Sequence, residues 1–274
     1  MRNHLIVVAV VSLACLATVT GRAQRPGAEG FIAEGIPKMP NPPGPAPVRD
    51  LSGVWVGPQG DKYDTPPPMT PAGDALFKTR HPYGDASRDA DLGMSNDPFI
   101  TCDPLGFPRN LIAHAVSGRG RMIFASAPGR TLIAYEQQRV WREVWTDGRA
   151  LPKAVDVRGM PESRLYGHSV GRWEGDHTFV IDTNGLDERP WLDEEGRPRS
   201  NQARFQERYT RKDQYNLDLT VTIDDPKFYT KPWTWMRGSF YWVQGQEFAE
   251  TFCIPSEGIE YRDSIAKPSG IQIR

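Results

Sequence analysis

Residues 204–224 read RFQERYTRKDQYNLDLTVTID, and the alternation within this stretch decides the fold. From Leu217 to Ile223, every second residue is apolar and the residues between are polar, which predicts a β-strand with one buried and one hydrated face. The segment Arg204–Arg211 alternates as well, and only a few residues separate it from the next strand. The stretch therefore predicts two neighbouring antiparallel strands.

Strand patterns of this kind recur along the chain from about residue 120. With no long helix between them, they predict an all-β domain, and the short connections favour an antiparallel meander. Closing the meander into a barrel would remove its exposed edges, and a two-sheet β-sandwich is the alternative. The predicted strands are Arg121–Ser126, Thr131–Gln137, Val140–Thr146, Tyr166–Trp173, His177–Thr183, Arg204–Arg211, Leu217–Ile223, Ser239–Val243 and Glu247–Cys253.

The region before these strands is rich in proline, which cannot donate regularly to a β-ladder. It contains one predicted strand, Leu51–Val56, and one predicted short helix, Pro71–Lys78, with Thr70 as its N-cap. The predicted organisation is a signal peptide at 1–23, a proline-rich arm at 24–50, and a single domain at 51–274 with a loop-rich segment at 57–118.

The first residues have the features of an export signal. A positive charge at Arg2 precedes the apolar run Leu5–Ala17, and small residues follow near Ala23. We expect cleavage near Ala23, a periplasmic or secreted product, and no stable membrane insertion. In such a compartment the two cysteines that remain, Cys102 and Cys253, are predicted to form a disulfide, although two separate buried thiols are an alternative.

The charge balance argues against nucleic acid as a partner. Lys and Arg total 33 against 34 Asp and Glu, so the formal net charge is -1 and no basic surface is indicated. The chain has no zinc-ligand spacing, no phosphate-binding loop, no dinucleotide fingerprint and no Gly-x-Ser-x-Gly sequence. We therefore predict no cofactor and no metal, with a small molecule as the partner and the oligomeric state left open.

Glu207 is the first candidate catalytic residue. On an alternating strand it shares a face with Phe205, Tyr209 and Arg211, so it is predicted to lie among aromatic rings. Burial there would raise its pKa toward the range of a general acid or base. A structural ion pair between Glu207 and Arg211 is an equally open interpretation.

His168 is the second candidate, on a predicted hairpin with Glu174-Gly175 as its turn. That register places His168 on a face with Tyr166 and Phe179, where a neutral imidazole could transfer protons. A structural histidine is the alternative.

A third set of candidates alternates along one strand and leads into a turn. Two tryptophans and two acids on one face could line a pocket for a sugar or an aromatic ring. They are Trp141, Glu143, Trp145 and Asp147, and Arg149 follows them. The alternative is an outer face covered by a loop.

Two resemblances extend these expectations. Gly53-Val54-Trp55 resembles the Gly-x-Trp signature of lipocalins and related barrels, which implies a lipocalin-like barrel with the Trp closing one end. A longer set of segments, from Cys102-Asp103-Pro104 to Asp224-Asp225-Pro226, resembles a large group of exported proteins of soil bacteria. That resemblance implies one coherent domain and carries no mechanism.

Together these features lead to a functional hypothesis with two alternatives. The hypothesis is a metal-independent lyase, isomerase or hydrolase that acts on a small sugar-like or aromatic substrate in an aromatic-lined barrel. His168, Glu207 and Asp147 would transfer protons, while Arg149 and Arg211 would hold a polar group. The alternatives are a non-catalytic small-ligand carrier and an envelope protein whose arm docks on a partner.

Overall fold

The computed structural model describes residues 43–82, 95–112, 120–243, 247–248, 253–266 and 268. Nine strands in this part of the chain form a closed barrel in which each strand pairs with the next and β9 pairs with β1. The strands are β1 (Gly53–Lys62), β2 (Arg121–Ala127), β3 (Arg130–Tyr135), β4 (Val140–Trp145), β5 (His168–Glu174), β6 (Thr178–Asn184), β7 (Arg204–Arg211), β8 (Asn216–Asp224) and β9 (Trp233–Val243). The predicted barrel is confirmed, and the alternative of a two-sheet β-sandwich is wrong.

The meander departs from the predicted antiparallel pattern at one place. β4 and β5 pair in parallel, with Val144 opposite Ser169 and Trp145 opposite Val170. A parallel pair requires a long connection, and the segment between these strands supplies one. Every other neighbouring pair is antiparallel.

β1 and β9 extend several residues beyond their predicted bounds. β1 continues to Lys62 through Pro58, because register shifts between Val56 and Lys62 accommodate residues that cannot pair regularly. β9 begins at Trp233, six residues before the predicted start at Ser239. The predicted strand Glu247–Cys253 falls largely outside the described residues, and the described positions within it are not in a strand.

The predicted helix is present as α1 (Pro71–Phe77). The Thr70 hydroxyl accepts a hydrogen bond from the Gly73 amide at 3.2 Å, which satisfies one of the free donors of the first turn. A second short helix, α2 (Pro255–Tyr261), lies near the end of the chain. None of the helices in the described ranges is long and apolar enough to span a bilayer.

The disulfide predicted between Cys102 and Cys253 is confirmed, with the two Cα atoms 5.3 Å apart. It joins the loop-rich segment to the region that leads into α2. In α2, the ideal Cβ position of Gly258 is 2.6 Å from the Ile100 carbonyl oxygen, so only glycine fits this contact. The bond and the close packing hold the loop-rich segment and α2 together.

Replacing both cysteines with serine is expected to lower the free energy of unfolding by about 2–5 kcal/mol, because the bond closes a long loop and restricts the unfolded chain. Chemical denaturation of the double variant and of the native protein measures the difference. Unfolding midpoints that coincide would show that the bond contributes nothing to stability. The native protein under reducing conditions should match the variant.

Candidate functional site

Glu207 lies inside the barrel and is fully buried. Its Oε2 accepts a hydrogen bond from Arg142 Nη2 at 2.5 Å, and its Oε1 accepts one from the Tyr209 hydroxyl at 2.8 Å. Burial raises the pKa of Glu207, while the bonds from Arg142 and Tyr209 oppose that shift. Glu207 is therefore paired with Arg142 on β4, and its partner is not the predicted Arg211.

Aromatic side chains enclose this ion pair. Phe107, from the loop-rich segment, covers the Arg142 guanidinium, whose central carbon is 4.3 Å from the ring centroid. The same ring meets Phe205 edge to face at 5.2 Å, and Phe124 meets Tyr209 in the same way at 5.1 Å. Phe179 is also buried in this core, so Phe179 and Tyr209, two of the predicted ligand contacts, are part of the packed core.

Arg211 closes one end of the barrel. Its guanidinium lies 5.0 Å from the Trp55 ring centroid, and it donates to the carbonyl oxygens of Asp50 at 2.5 Å and Gln214 at 2.9 Å. Trp55 is fully buried and donates from its indole nitrogen to the Leu51 carbonyl oxygen at 2.8 Å. Trp55 is thus held near the start of β1 by contacts with Arg211 and Leu51.

The predicted register of the His168 hairpin is wrong. Glu174 pairs with Thr178 and His168 with Asn184, so three residues, 175–177, form the turn. In the predicted register, His168 lies opposite Ile181, on the same face of the hairpin as Phe179. In the structure it lies opposite Asn184, three residues further along β6, and a shift by an odd number of residues moves a side chain to the other face. His168 therefore faces away from Phe179, and its Nε2 lies 2.9 Å from the Glu162 carbonyl oxygen.

The third predicted group lies on the outside of the barrel. Trp141 is 69% exposed, and the Trp145 ring carries the Arg149 guanidinium at 3.4 Å from its centroid. Arg149 binds both carboxylate oxygens of Asp147 and holds the pKa of Asp147 below its usual range. These contacts lie within one turn at the surface, so Asp147 does not face the barrel interior.

The structure therefore does not bring the three predicted proton-transfer groups together. Glu207 points into the barrel, His168 lies on the outer face of β5, and Asp147 follows the end of β4 on the surface. Tyr166, the remaining predicted ligand contact, packs against the core, and burial raises its pKa to about 12. Glu207, His168 and Asp147 therefore share no site at which they could act together as general acid and base.

A cleft of about 530 Å³ lies elsewhere, where the end of β1 meets the start of β9. We call it the tryptophan cleft. It is lined by Asp61, Tyr63, Asp64, Thr65, Pro66, Ile112, Asp193, Glu194, Glu195, Arg197, Trp233 and Trp235.

Irregularities in two strands shape this cleft. Val221 pairs with Met236 and Thr222 with Thr234, so Trp235 is an extra residue in β9 without a partner on β8. Such a bulge changes the direction of a side chain, and Trp235 meets Tyr63 edge to face at 5.9 Å. Aromatic rings from β9 and from the residue after β1 are thereby brought to the same cleft.

The tryptophan cleft is strongly acidic, since five carboxylates and one guanidinium line it. Arg197 binds Asp193 at 2.8 Å and also pairs with Glu195, whereas Asp61 accepts from the Tyr63 hydroxyl at 2.8 Å. Burial of the ring and the nearby carboxylates raise the pKa of Tyr63. The negative potential of the cleft disfavours ionisation of Tyr63 to a phenolate. The same potential would favour a bound cation.

The tryptophan cleft was not predicted from the sequence. Two signals were present in the sequence: acids beside an aromatic residue in Asp61–Asp64, and the pair of tryptophans in Trp233–Trp235. They lie about 170 residues apart, and only the closure of the barrel between β1 and β9 brings them together.

A comparison with known protein families and a comparison with curated proteins each find no match for the chain. Within the described ranges, no group of three or more His, Cys, Asp or Glu side chains has the arrangement of a metal site.

Replacing Arg142 with Met is expected to destabilise the protein by about 3–5 kcal/mol at neutral pH, because Glu207 would stay buried without its cation. Burial raises the pKa of Glu207 and Arg142 opposes that shift, so removal of Arg142 is expected to favour the protonated carboxyl further. The loss should be smallest below the ordinary carboxyl pKa of 4.5 and grow as the pH rises. Denaturation at several pH values measures it.

The matched control is Arg130→Met, which breaks a half-exposed ion pair with Glu143 on the outer face. That change should cost less than about 1 kcal/mol and show little dependence on pH. An equal loss for Arg142→Met in acid and at neutral pH would contradict the role given to Glu207.

Proposed function

We propose that the protein is a non-catalytic carrier that binds a small ring-bearing cation, such as an aromatic amine or an amino sugar, in the tryptophan cleft. The observation that carries the proposal is the combination of five carboxylates with three aromatic side chains around one cleft of about 530 Å³. A volume of this size suits a small organic ligand.

The charge of the cleft supports a cation over an anion. Arg197 is already occupied by Asp193 and Glu195, and Arg237 outside the cleft binds Asp64 at 2.6 Å. Asp61 has no such cation, since the neutral Tyr63 hydroxyl is its hydrogen-bond donor in the described part of the chain. A ligand ammonium beside Asp61 would supply the missing positive charge.

The aromatic side chains support a ligand with a ring. Trp233 packs on Tyr229 at 5.6 Å between centroids, and Tyr63 packs on Trp235, so the rings are held in place before a ligand arrives. The Trp233 indole nitrogen is buried and has no acceptor among the described residues. A hydroxyl or carbonyl oxygen of the ligand could accept from it.

The other two hypotheses receive less support. Acid–base catalysis needs neighbouring groups, and His168, Glu207 and Asp147 each have separate partners. An arm that docks on a partner should be free of its own domain. The described end of the arm is bound to the domain instead, because the Gly44 carbonyl oxygen accepts a hydrogen bond from the Gln214 amide at 2.9 Å. The Cys102–Cys253 disulfide supports the proposal that the carrier works outside the cytoplasm.

Isothermal titration calorimetry with pairs of related ligands tests the proposal. Tryptamine and indole-3-acetate share a ring and differ in charge, and glucosamine and glucose form a second such pair. At least one amine should bind, and more tightly than its partner by about tenfold or more. If neither amine binds more tightly than its partner, the proposal is wrong.

Asp61→Asn is expected to weaken binding of the amine by about three- to tenfold, since it removes one exposed charge from the cleft. The control is Asp176→Asn, at an exposed turn outside the cleft, where Asp176 lies 3.8 Å from Arg49. The control should bind like the native protein. Equal weakening in the two variants would indicate a general charge effect and contradict a site at Asp61.

A further inference from the structure

A second groove lies on the outside of the barrel, between the β4–β5 connection and strands β6, β7 and β8. It consists of two adjoining clefts of about 550 and 510 Å³, and we call it the outer-face groove. The two clefts share Lys153, Asn184, Arg204 and Asp224 in their linings, so they form one continuous depression. No residue that lines it also lines the tryptophan cleft.

The wall of this groove is held in place by specific contacts. The Asn184 amide nitrogen donates to the Pro152 carbonyl oxygen at 2.8 Å, and the Arg164 backbone amide donates to the Gly185 carbonyl oxygen at 3.0 Å. Gly185 has a φ of +63°, and its ideal Cβ position is 2.7 Å from a Val155 methyl group. The connection thus packs closely on the sheet and leaves a groove of defined shape.

Two cations in the outer-face groove lack partners. Neither Lys153 nor Arg204 forms an ion pair or a side-chain hydrogen bond within the part of the chain that the structure describes. Arg204 is paired in register with Asp224, yet their charged atoms are not within ion-pair distance. By contrast, Arg208 on the same face of β7 binds Glu174 at 2.8 Å. Of the two carboxylates that line the groove, Asp182 is paired with Arg172 and Asp224 forms no ion pair among the described residues. The unpaired groups therefore leave one positive charge in excess, which favours an anion.

The remaining lining groups favour hydroxyls on that anion. The Asn184 side-chain oxygen is buried and has no hydrogen-bond donor among the described residues. Such a buried acceptor is ordinarily satisfied by a donor. The carboxylate of Asp224 is a further acceptor. Phe205 is the one aromatic residue in the lining, and its side chain faces the barrel interior, so ring stacking is not available here.

We propose that the outer-face groove binds a small polyhydroxylated anion, such as a sugar acid or a sugar phosphate. The anionic group would lie between Lys153 and Arg204, and hydroxyls would donate to Asn184 and Asp224. This site is independent of the proposed carrier function, because it has the opposite charge preference and separate residues.

Calorimetric titration with glucuronate and with glucose 6-phosphate tests the inference and distinguishes a carboxylate from a phosphate. Glucose and inorganic phosphate are the matched probes that lack the charge or the hydroxyls. We expect at least one sugar anion to bind about tenfold more tightly than either of these probes. No binding of either sugar anion up to about 10 mM, or equal binding of inorganic phosphate, would overturn the proposal.

Arg204→Gln and Lys153→Gln are each expected to weaken binding of the sugar anion by about tenfold, and Arg208→Gln should change it by less than about twofold. Circular dichroism and thermal unfolding check that the variants fold. Equal loss in Arg204→Gln and Arg208→Gln would overturn the site. Asp61→Asn should leave this binding unchanged, so failure here is separable from failure of the carrier proposal.

Discussion

The ion pair between Arg142 and Glu207 is the constraint on which the rest of the structure depends. It joins β4 and β7 across the barrel interior, where unpaired charges would be costly. Tyr209 donates to the same carboxylate and Phe107 covers the guanidinium, so the interior is occupied by a charged pair within an aromatic core. Arg142 Nε and Nη1 have no acceptor among the described residues. A barrel filled in this way leaves the surfaces formed by its ends, connections and outer face as the places for ligands.

Two of those surfaces differ in charge although the chain as a whole is almost neutral. The tryptophan cleft concentrates carboxylates, and the outer-face groove contains Lys153 and Arg204 without ion-pair partners in the described residues. The formal net charge of -1 does not show this difference between the two surfaces, because it is a sum over the whole chain. Local potential, set by which side chains the fold brings together, is the quantity that selects a ligand.

Local patterns predicted much of the fold, and long-range pairing limited the rest. The alternation in β7 and β8 predicted which residues face inward, including Glu207, and Thr70 marked the start of α1. The partner of Glu207 could not be predicted, because Arg142 is 65 residues away and meets it only across a closed barrel. His168 was placed on the wrong face because one extra residue in the turn changed the register.

The disulfide has a consequence for the covalent integrity of the molecule. Cys102 and Cys253 are separated by 151 positions, and strands β2 to β9 all lie between them. A single cleavage in any connection within that ring would leave both fragments joined through sulfur. The protein would therefore remain one covalent molecule after such a cleavage for as long as its cysteines stay oxidised.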